Sequence, residues 1–219
     1  MALYIDSAYL EEVVAVAQTI PVVGVTTNPT LLLDAYQRGQ RLDKQQVLQE
    51  LLEHVEGTIF MQISLANEEQ AYQEALTYIQ KNPERVQPKI PLTSVGIRVA
   101  QRLKKQGHGI AFTAVTTVAQ AYVGAMVGAD FLIPYYNRLR RSGVDPVERV
   151  AQMAKLLHTQ NLPTRILAAS IKTPNEAAEA LYAGAHDLTV PPKVLLDMVN
   201  TPETEQAVEK FEQDNKKLR

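Results

Sequence analysis

The 219-residue sequence contains no cysteine and no tryptophan. Without cysteine there is no disulfide, no thiolate nucleophile and no thiolate-held metal. The four histidines, His54, His108, His158 and His186, show no metal-ligand spacing, so no metal site is expected. An excess of either charge is missing too: the net charge is -2 and the pI about 6.1. That balance gives no broad basic field, so neither nucleic acid nor an anionic membrane is an expected partner, and any anion must be bound locally. No apolar run approaches the roughly eighteen residues of a membrane span. The opening Met1-Ala2-Leu3-Tyr4-Ile5-Asp6 lacks the basic and apolar segments of a secretion signal, and the expectation is a soluble, cytoplasmic protein. Glycine-rich phosphate loops are absent as well, since neither G-x-G-x-x-G nor G-K-[ST] occurs.

What is present is an ordinary globular composition, 46% hydrophobic, arranged in a repeating pattern that suits a single domain over residues 1–219. Short apolar runs rich in β-formers alternate with stretches of helical periodicity. The strands are expected at Leu3 to Ile5, Val22 to Thr27, Thr58 to Ser64, Arg85 to Thr93, Ile110 to Val115, Phe131 to Tyr136, Arg165 to Ser170 and Asp187 to Val190. Helices are expected between them, with Asn28-Pro29 and Thr173-Pro174 as start signals and Gly107-His108-Gly109 as a stop. A polar break at Arg38 to Leu42 precedes a helical run from Asp43 to Val55, an extra helix after the second unit. Eight strand-helix units in a small domain predict a closed parallel (β/α)8 barrel, the TIM-barrel fold, rather than an open doubly wound sheet. A charged tail helix, Thr204 to Leu218, follows the eighth unit with Val208 and Phe211 as its apolar residues.

Lys89 stands out within this pattern. It lies inside a buried strand, between Pro88 and Ile90, and a lysine there is poorly solvated. A free lysine with pKa about 10.4 is neutral, and so nucleophilic, in only about one molecule in 2,500 at pH 7. Lowering its pKa by about three units through burial makes roughly a quarter of the molecules reactive. The ordinary fate of a strand-end lysine is a solvated head group, so the weight of the reading rests on its company. Pro88 and Pro91 conflict with a central strand because each lacks an N–H for the ladder, and a distorted strand is the expected resolution.

In a (β/α)8 barrel, residues at the C-terminal ends of the strands converge on one mouth. Those residues are Asp6, Thr26 to Asn28, Gln62, Lys89, Thr113, Tyr135 to Arg138 and Ser170 to Lys172. Taken singly, Asp6 or Ser170 could cap a helix, Gln62 and Thr113 could be satisfied interior polar groups, Tyr135 a core aromatic, and Arg138, Arg140 and Arg141 a solvated loop cluster. Four stretches change the balance: Gly24-Val25-Thr26-Thr27-Asn28-Pro29, Pro88-Lys89-Ile90-Pro91-Leu92-Thr93, Pro134-Tyr135-Tyr136-Asn137-Arg138 and Ala168-Ala169-Ser170-Ile171-Lys172-Thr173-Pro174. In this order they resemble the small transaldolase family, and within it the fructose-6-phosphate aldolase branch, over a span from Asp6 to the Lys210-Phe211-Glu212-Gln213-Asp214 tail.

The resemblance implies class I aldolase chemistry with no cofactor and no metal. It implies Lys89 as the Schiff-base lysine, Asp6 as an acid contacting the lysine and the donor hydroxyls, Gln62 and Thr113 as holders of a catalytic water, and Tyr135 as the phenol of proton transfer. Thr26 and Asn28 fall on the substrate-binding side, and Arg138 and Ser170, with Lys172, on the phosphate-binding end. Transaldolases of the family carry glutamate at the position of Gln62 and phenylalanine at that of Tyr135, so the pair here leans toward the aldolase. Ile133 and Ala111 depart from the family pattern and put donor preference in question; Arg140 and the pair Thr116-Thr117 depart from it too, and for these the sequence offers no account.

The expected reaction is reversible cleavage of fructose 6-phosphate to dihydroxyacetone and glyceraldehyde 3-phosphate. The alternatives are a transaldolase moving the same three-carbon unit between sugar phosphates in the pentose phosphate pathway, and a non-catalytic barrel that binds a sugar phosphate. Small-molecule sugar phosphates are thus the expected partners. The resemblance further implies a homodecamer of two stacked five-membered rings, with residues 203–219 packing on a neighbouring subunit; the residues alone equally allow a helix folded back over the bottom of its own barrel.

Overall fold

A computed structural model describes residues 1–218 of the chain. Eight strands form a closed, wholly parallel barrel in sequence order: β1 (Ala2–Asp6), β2 (Gly24–Thr26), β3 (Thr58–Gln62), β4 (Val86–Pro91), β5 (Ala111–Val115), β6 (Phe131–Pro134), β7 (Arg165–Ala168) and β8 (Asp187–Val190). Pairing of β1 with β8, from Ala2 opposite Asp187 to Ile5 opposite Val190, closes the ring. The (β/α)8 architecture expected from the alternation is therefore the observed one.

Both faces of each strand are buried, which is why the strands read as short continuous apolar runs. One set of alternating residues, including Ile5, Ile59, Met61, Ile90, Phe112, Leu132, Ile166 and Leu188, packs outward against the helices. The other set points into the barrel, where Tyr4, Phe60, Ala111, Ile133, Leu167 and Ala169 form a separate cluster. Its floor is aromatic: Tyr4, Phe60 and Phe131 meet edge to face with centroids 5.3 to 6.4 Å apart. Below it, Arg165 grips the buried Asp187 with two hydrogen bonds of 2.7 Å, tying the starts of β7 and β8. Apolar layers thus fill the lower barrel and leave the polar inward positions for its C-terminal end.

Eleven helices accompany the strands among the described residues: α1 (Leu10–Thr19), α2 (Pro29–Gln37), α3 (Lys44–His54), α4 (Glu68–Ile79), α5 (Ser94–Lys105), α6 (Val118–Met126), α7 (Tyr136–Arg141), α8 (Pro146–Thr159), α9 (Pro174–Tyr182), α10 (Pro192–Asp197) and α11 (Pro202–Lys217). Three go beyond one per strand. In the second unit, α3 buries Val47, Leu48 and Leu51 and takes the place in the outer layer, whereas α2 buries only Ala35. It is the first helix, then, that is additional, and its N-terminal end reaches the barrel mouth. The polar break after it is structural, because Gln40 bonds both Leu10 N–H and the Ala8 carbonyl and so braces the loop after β1. The pair Thr116-Thr117 also finds its reason: Thr117 and Gln120 form a capping box that starts α6, and Gln120 accepts from Thr116 as well.

Two sequence expectations need correction. The distortion expected in β4 is not there. Leu92 donates to Thr113 and Lys89 accepts from Ile63, so backbone groups of even-numbered residues face β5 and odd-numbered ones face β3. The missing N–H of Pro88 thus faces β5 ahead of its first residue, Ala111, and that of Pro91 faces β3 beyond its last, Gln62. Each proline stands where its neighbour has no ladder left to offer. The irregularity lies instead in β5, where Ala114 at φ 58° makes a bulge beside the mouth. Second, β6 stops at Pro134 rather than Tyr136, and the arginine cluster expected as a loop forms α7. With six residues, three of them arginine, and no side-chain cap, α7 carries no periodicity to announce it and depends on tertiary contacts.

Candidate active site

A cavity of about 340 Å³ opens at the C-terminal end of the barrel, where eight side chains expected from the sequence converge: Asp6, Asn28, Gln62, Lys89, Tyr135, Arg138, Ser170 and Lys172. Pro29, Thr30, Leu31 and Ala169 complete its wall. The remaining two, Thr26 and Thr113, are fully buried behind that wall and hold the groups that face it.

Lys89 is only 2% exposed. Its Cα is registered with that of Gln62 on one side and Ala111 on the other, so in a parallel sheet all three side chains point the same way. Burial lowers the Lys89 pKa to about 8, against the opposing pull of Asp6. Asp6 shifts upward, again chiefly through burial, with Lys89, the bond from Thr26 and the charge of Lys172 acting the other way. The amine thus shifts down and the carboxyl up, each chiefly through its own burial at the cavity.

Asp6 caps no helix; its Oδ1 accepts from Thr26 Oγ1 at 2.9 Å. That hydroxyl also lies 2.6 Å from Thr189 Oγ1. Because Thr26 has one hydroxyl hydrogen and spends it on Asp6, Thr189 is the donor of the second bond, giving a relay from Thr189 through Thr26 to Asp6. Sequence reading missed Thr189, which there is simply a β-former in a strand.

On the opposite strands Thr113 Oγ1 donates to Tyr135 Oη at 2.8 Å, leaving the phenol hydrogen free for the cavity. The Arg138 guanidinium lies 4.5 Å from the Tyr135 ring centroid, which orients both. Gln62 Oε1 is a buried acceptor with no hydrogen-bond partner among the described residues. A buried amide oxygen of this kind costs free energy unless a donor reaches it, and Gln62 is among the residues that line the cavity. Asn28 Oδ1 is taken by Leu31 N–H as the cap of α2, so the side chain presents its NH2 as a donor.

Ser170 does not cap α9, a task that falls to Thr173. Its backbone has φ 62°, the left-handed region unusual for a residue with a Cβ, directly at the cavity wall. Ile133 and Ala111, the departures from the family pattern, sit together in the interior cluster below and do not line the cavity. Arg140 turns away from the mouth toward Glu176 and Glu179, while Asn137 also reaches Glu176. Glu176 was not singled out in the sequence because Thr173-x-x-Glu176 has the form of an ordinary helix start.

A buried lysine of lowered pKa beside a carboxyl, a free phenol hydrogen and two cations is a constellation suited to an amine nucleophile acting on an anionic carbonyl compound. The family model described as Transaldolase/Fructose-6-phosphate aldolase matches residues 3–219, and the chain belongs to this family of Schiff-base aldolases and transaldolases.

Proposed function

We propose that the protein is a fructose-6-phosphate aldolase, cleaving the sugar phosphate reversibly to dihydroxyacetone and glyceraldehyde 3-phosphate with Lys89 as the Schiff-base residue. The observation that carries this reading is the shared cavity: Lys89 and Tyr135 face it together, and Arg138, Ser170 and Lys172 line it with them.

The neutral Lys89 Nζ adds to the C2 carbonyl, and the carbinolamine loses water to give an iminium. The proton of the C4 hydroxyl then leaves to a base as the C3–C4 bond breaks, and its electron pair flows into the iminium to form an enamine. Glyceraldehyde 3-phosphate departs, C3 of the enamine takes a proton, and the returning water releases dihydroxyacetone and regenerates the amine. The iminium is itself the electron sink, so the scheme calls for no metal or organic cofactor. Tyr135, its oxygen held by Thr113 and its hydrogen free, is placed to pass the proton at C3. Gln62 offers its unpartnered carbonyl to the water or to a substrate hydroxyl. Asp6 takes up and returns the protons of carbinolamine formation, and Arg138 with Lys172 holds the phosphate.

Release of free dihydroxyacetone separates the aldolase from a transaldolase, whose enamine waits for a second aldehyde. Incubation with fructose 6-phosphate and no added acceptor is expected to release it, and borohydride is expected to trap the donor on Lys89. Tyr135→Phe should depress this release at least about tenfold more than transfer to an acceptor, because the ring stays and only the proton donor goes. Equal losses in both activities would move the assignment to the transaldolase.

The same reading extends to assembly, as a decamer of two five-membered rings in which α11 packs on a neighbouring subunit. It is supported by α11 itself: among the described residues none of those in this helix is buried, and Val208 and Phe211 are 51% and 63% exposed.

A further inference from the structure

We propose that Glu176, which lines no part of the cavity, is a positioning residue that sets the spacing between Arg138 and the Ser170–Lys172 loop, and so governs preference for phosphorylated over unphosphorylated substrates. The inference rests on the phosphate end proposed above.

Arg138 and Lys172 reach the cavity from different elements. Arg138 is carried by α7, a six-residue helix without a side-chain cap, and Lys172 by the loop between β7 and α9, which contains the left-handed Ser170. Neither segment is self-supporting: one helical turn and a half does not repay its nucleation, and a strained residue persists only where its surroundings over-determine it. Glu176 is what both share. It is 3% exposed, and its Oε1 accepts from Asn137 Nδ2 at 2.7 Å and from Arg140 Nη1 at 3.1 Å, both on α7. Its Oε2 accepts from the Lys172 N–H at 2.8 Å. One buried carboxylate therefore spans the gap between the two anion-binding segments.

A second layer tightens the same joint. Arg140 Nη2 and Tyr136 Oη both donate to Glu179 Oε2, at 2.7 and 2.8 Å, and the Asn137 N–H donates to the Ser170 carbonyl at 3.2 Å. Arg138 lies between Asn137 and Arg140 in sequence, so its backbone is fixed on both sides while its side chain stays free to stack on Tyr135. Lys89, Asp6 and Gln62 hang from other strands and take no part in the clasp. Loosening it should change where the phosphate is held and leave Schiff-base formation alone.

The test is Glu176→Gln, assayed in the synthesis direction with dihydroxyacetone and either glyceraldehyde 3-phosphate or glyceraldehyde. Glutamine keeps the shape but loses the charge and sets an NH2 against donors. KM for the phosphorylated aldehyde is expected to rise about tenfold, the effect of losing roughly one charge-assisted hydrogen bond, with kcat changed less than about twofold. KM for glyceraldehyde and borohydride trapping of dihydroxyacetone should be unchanged, and inhibition by inorganic phosphate should weaken by the same factor as KM. Arg140→Gln, at the solvent side of the clasp, keeps the test decisive if Glu176→Gln folds poorly, and should show the same discrimination at about threefold. Equal loss with both aldehydes would overturn the proposal. Arg138→Ala run alongside tells the failures apart. If it discriminates between the aldehydes and the clasp variants do not, Glu176 loses its role and the phosphate end stands. If none discriminates, the phosphate end falls and the proposal with it.

Discussion

At the scale of the residue, the placement of one amine decides most of the chemistry. In the proposed mechanism Schiff-base formation needs neutral Lys89, so adduct formation is expected to rise with pH through an apparent pKa near 8 and level off above it. Asp6 opposes the lowering, and its removal should therefore carry the limb to lower pH. A pH profile of kcat/KM for Asp6→Asn checks the sign; a limb displaced toward alkali would contradict it. Stability follows the same group. The folded-state pKa is about 8 and the ordinary value 10.5, so between them the unfolded chain binds more protons and stability rises with pH across that window. Lys89→Met removes the buried charge that prevails at neutral pH for an apolar chain of similar length. It is expected to abolish turnover and borohydride trapping while melting no lower than wild type at pH 7, as circular dichroism would report. Activity above about one per cent of wild type would remove Lys89 from the reaction.

At the scale of the element, the strand that carries Lys89 is held by a close approach of α5. Thr93 caps this helix on Gly96 N–H, and a Cβ at Gly96 would lie 2.2 Å from the Pro91 carbonyl oxygen and 3.1 Å from Ile90 Cγ2. No rotamer relieves a clash with backbone, so Gly96→Ala must lift the helix from the strand. The expected cost is about 1–3 kcal/mol in urea unfolding, with slower adduct formation because Pro91 lies two residues from Lys89. An alanine variant of wild-type stability would show that the approach is not needed. The strands and long helices were legible in the sequence because their periodicity is local. The helix α7 was not, and neither was the regularity of β4. Whether a proline N lacks a partner depends on where the neighbouring strands begin and end, and the residues concerned are more than 20 positions away.

At the scale of the whole molecule, α11 has no place in the helix layer of its own barrel. A chain ending at Asn200 keeps all eight units and loses only that helix. It is expected to sediment as smaller species than the full-length protein and to melt at lower temperature, since association stabilises the folded subunit by mass action. Sedimentation at the full-length size would contradict the role given to the tail.

The sequence by itself determined the alternation of eight strands and helices, hence the closed barrel, because hydrophobic period and turn residues act over a few positions each. It also determined which strand ends carry polar groups, and through four short motifs the family. Only the tertiary structure decided what those groups do to one another. Lys89 acquires its lowered pKa from burial against residues of other strands, and Thr113 frees the Tyr135 hydrogen across 22 positions. The relay from Thr189 to Thr26 joins residues 163 positions apart, and Glu176 draws together two segments whose motifs stand separately in the chain. These are effects of distance in space, and one-dimensional order carries no record of it until the barrel closes.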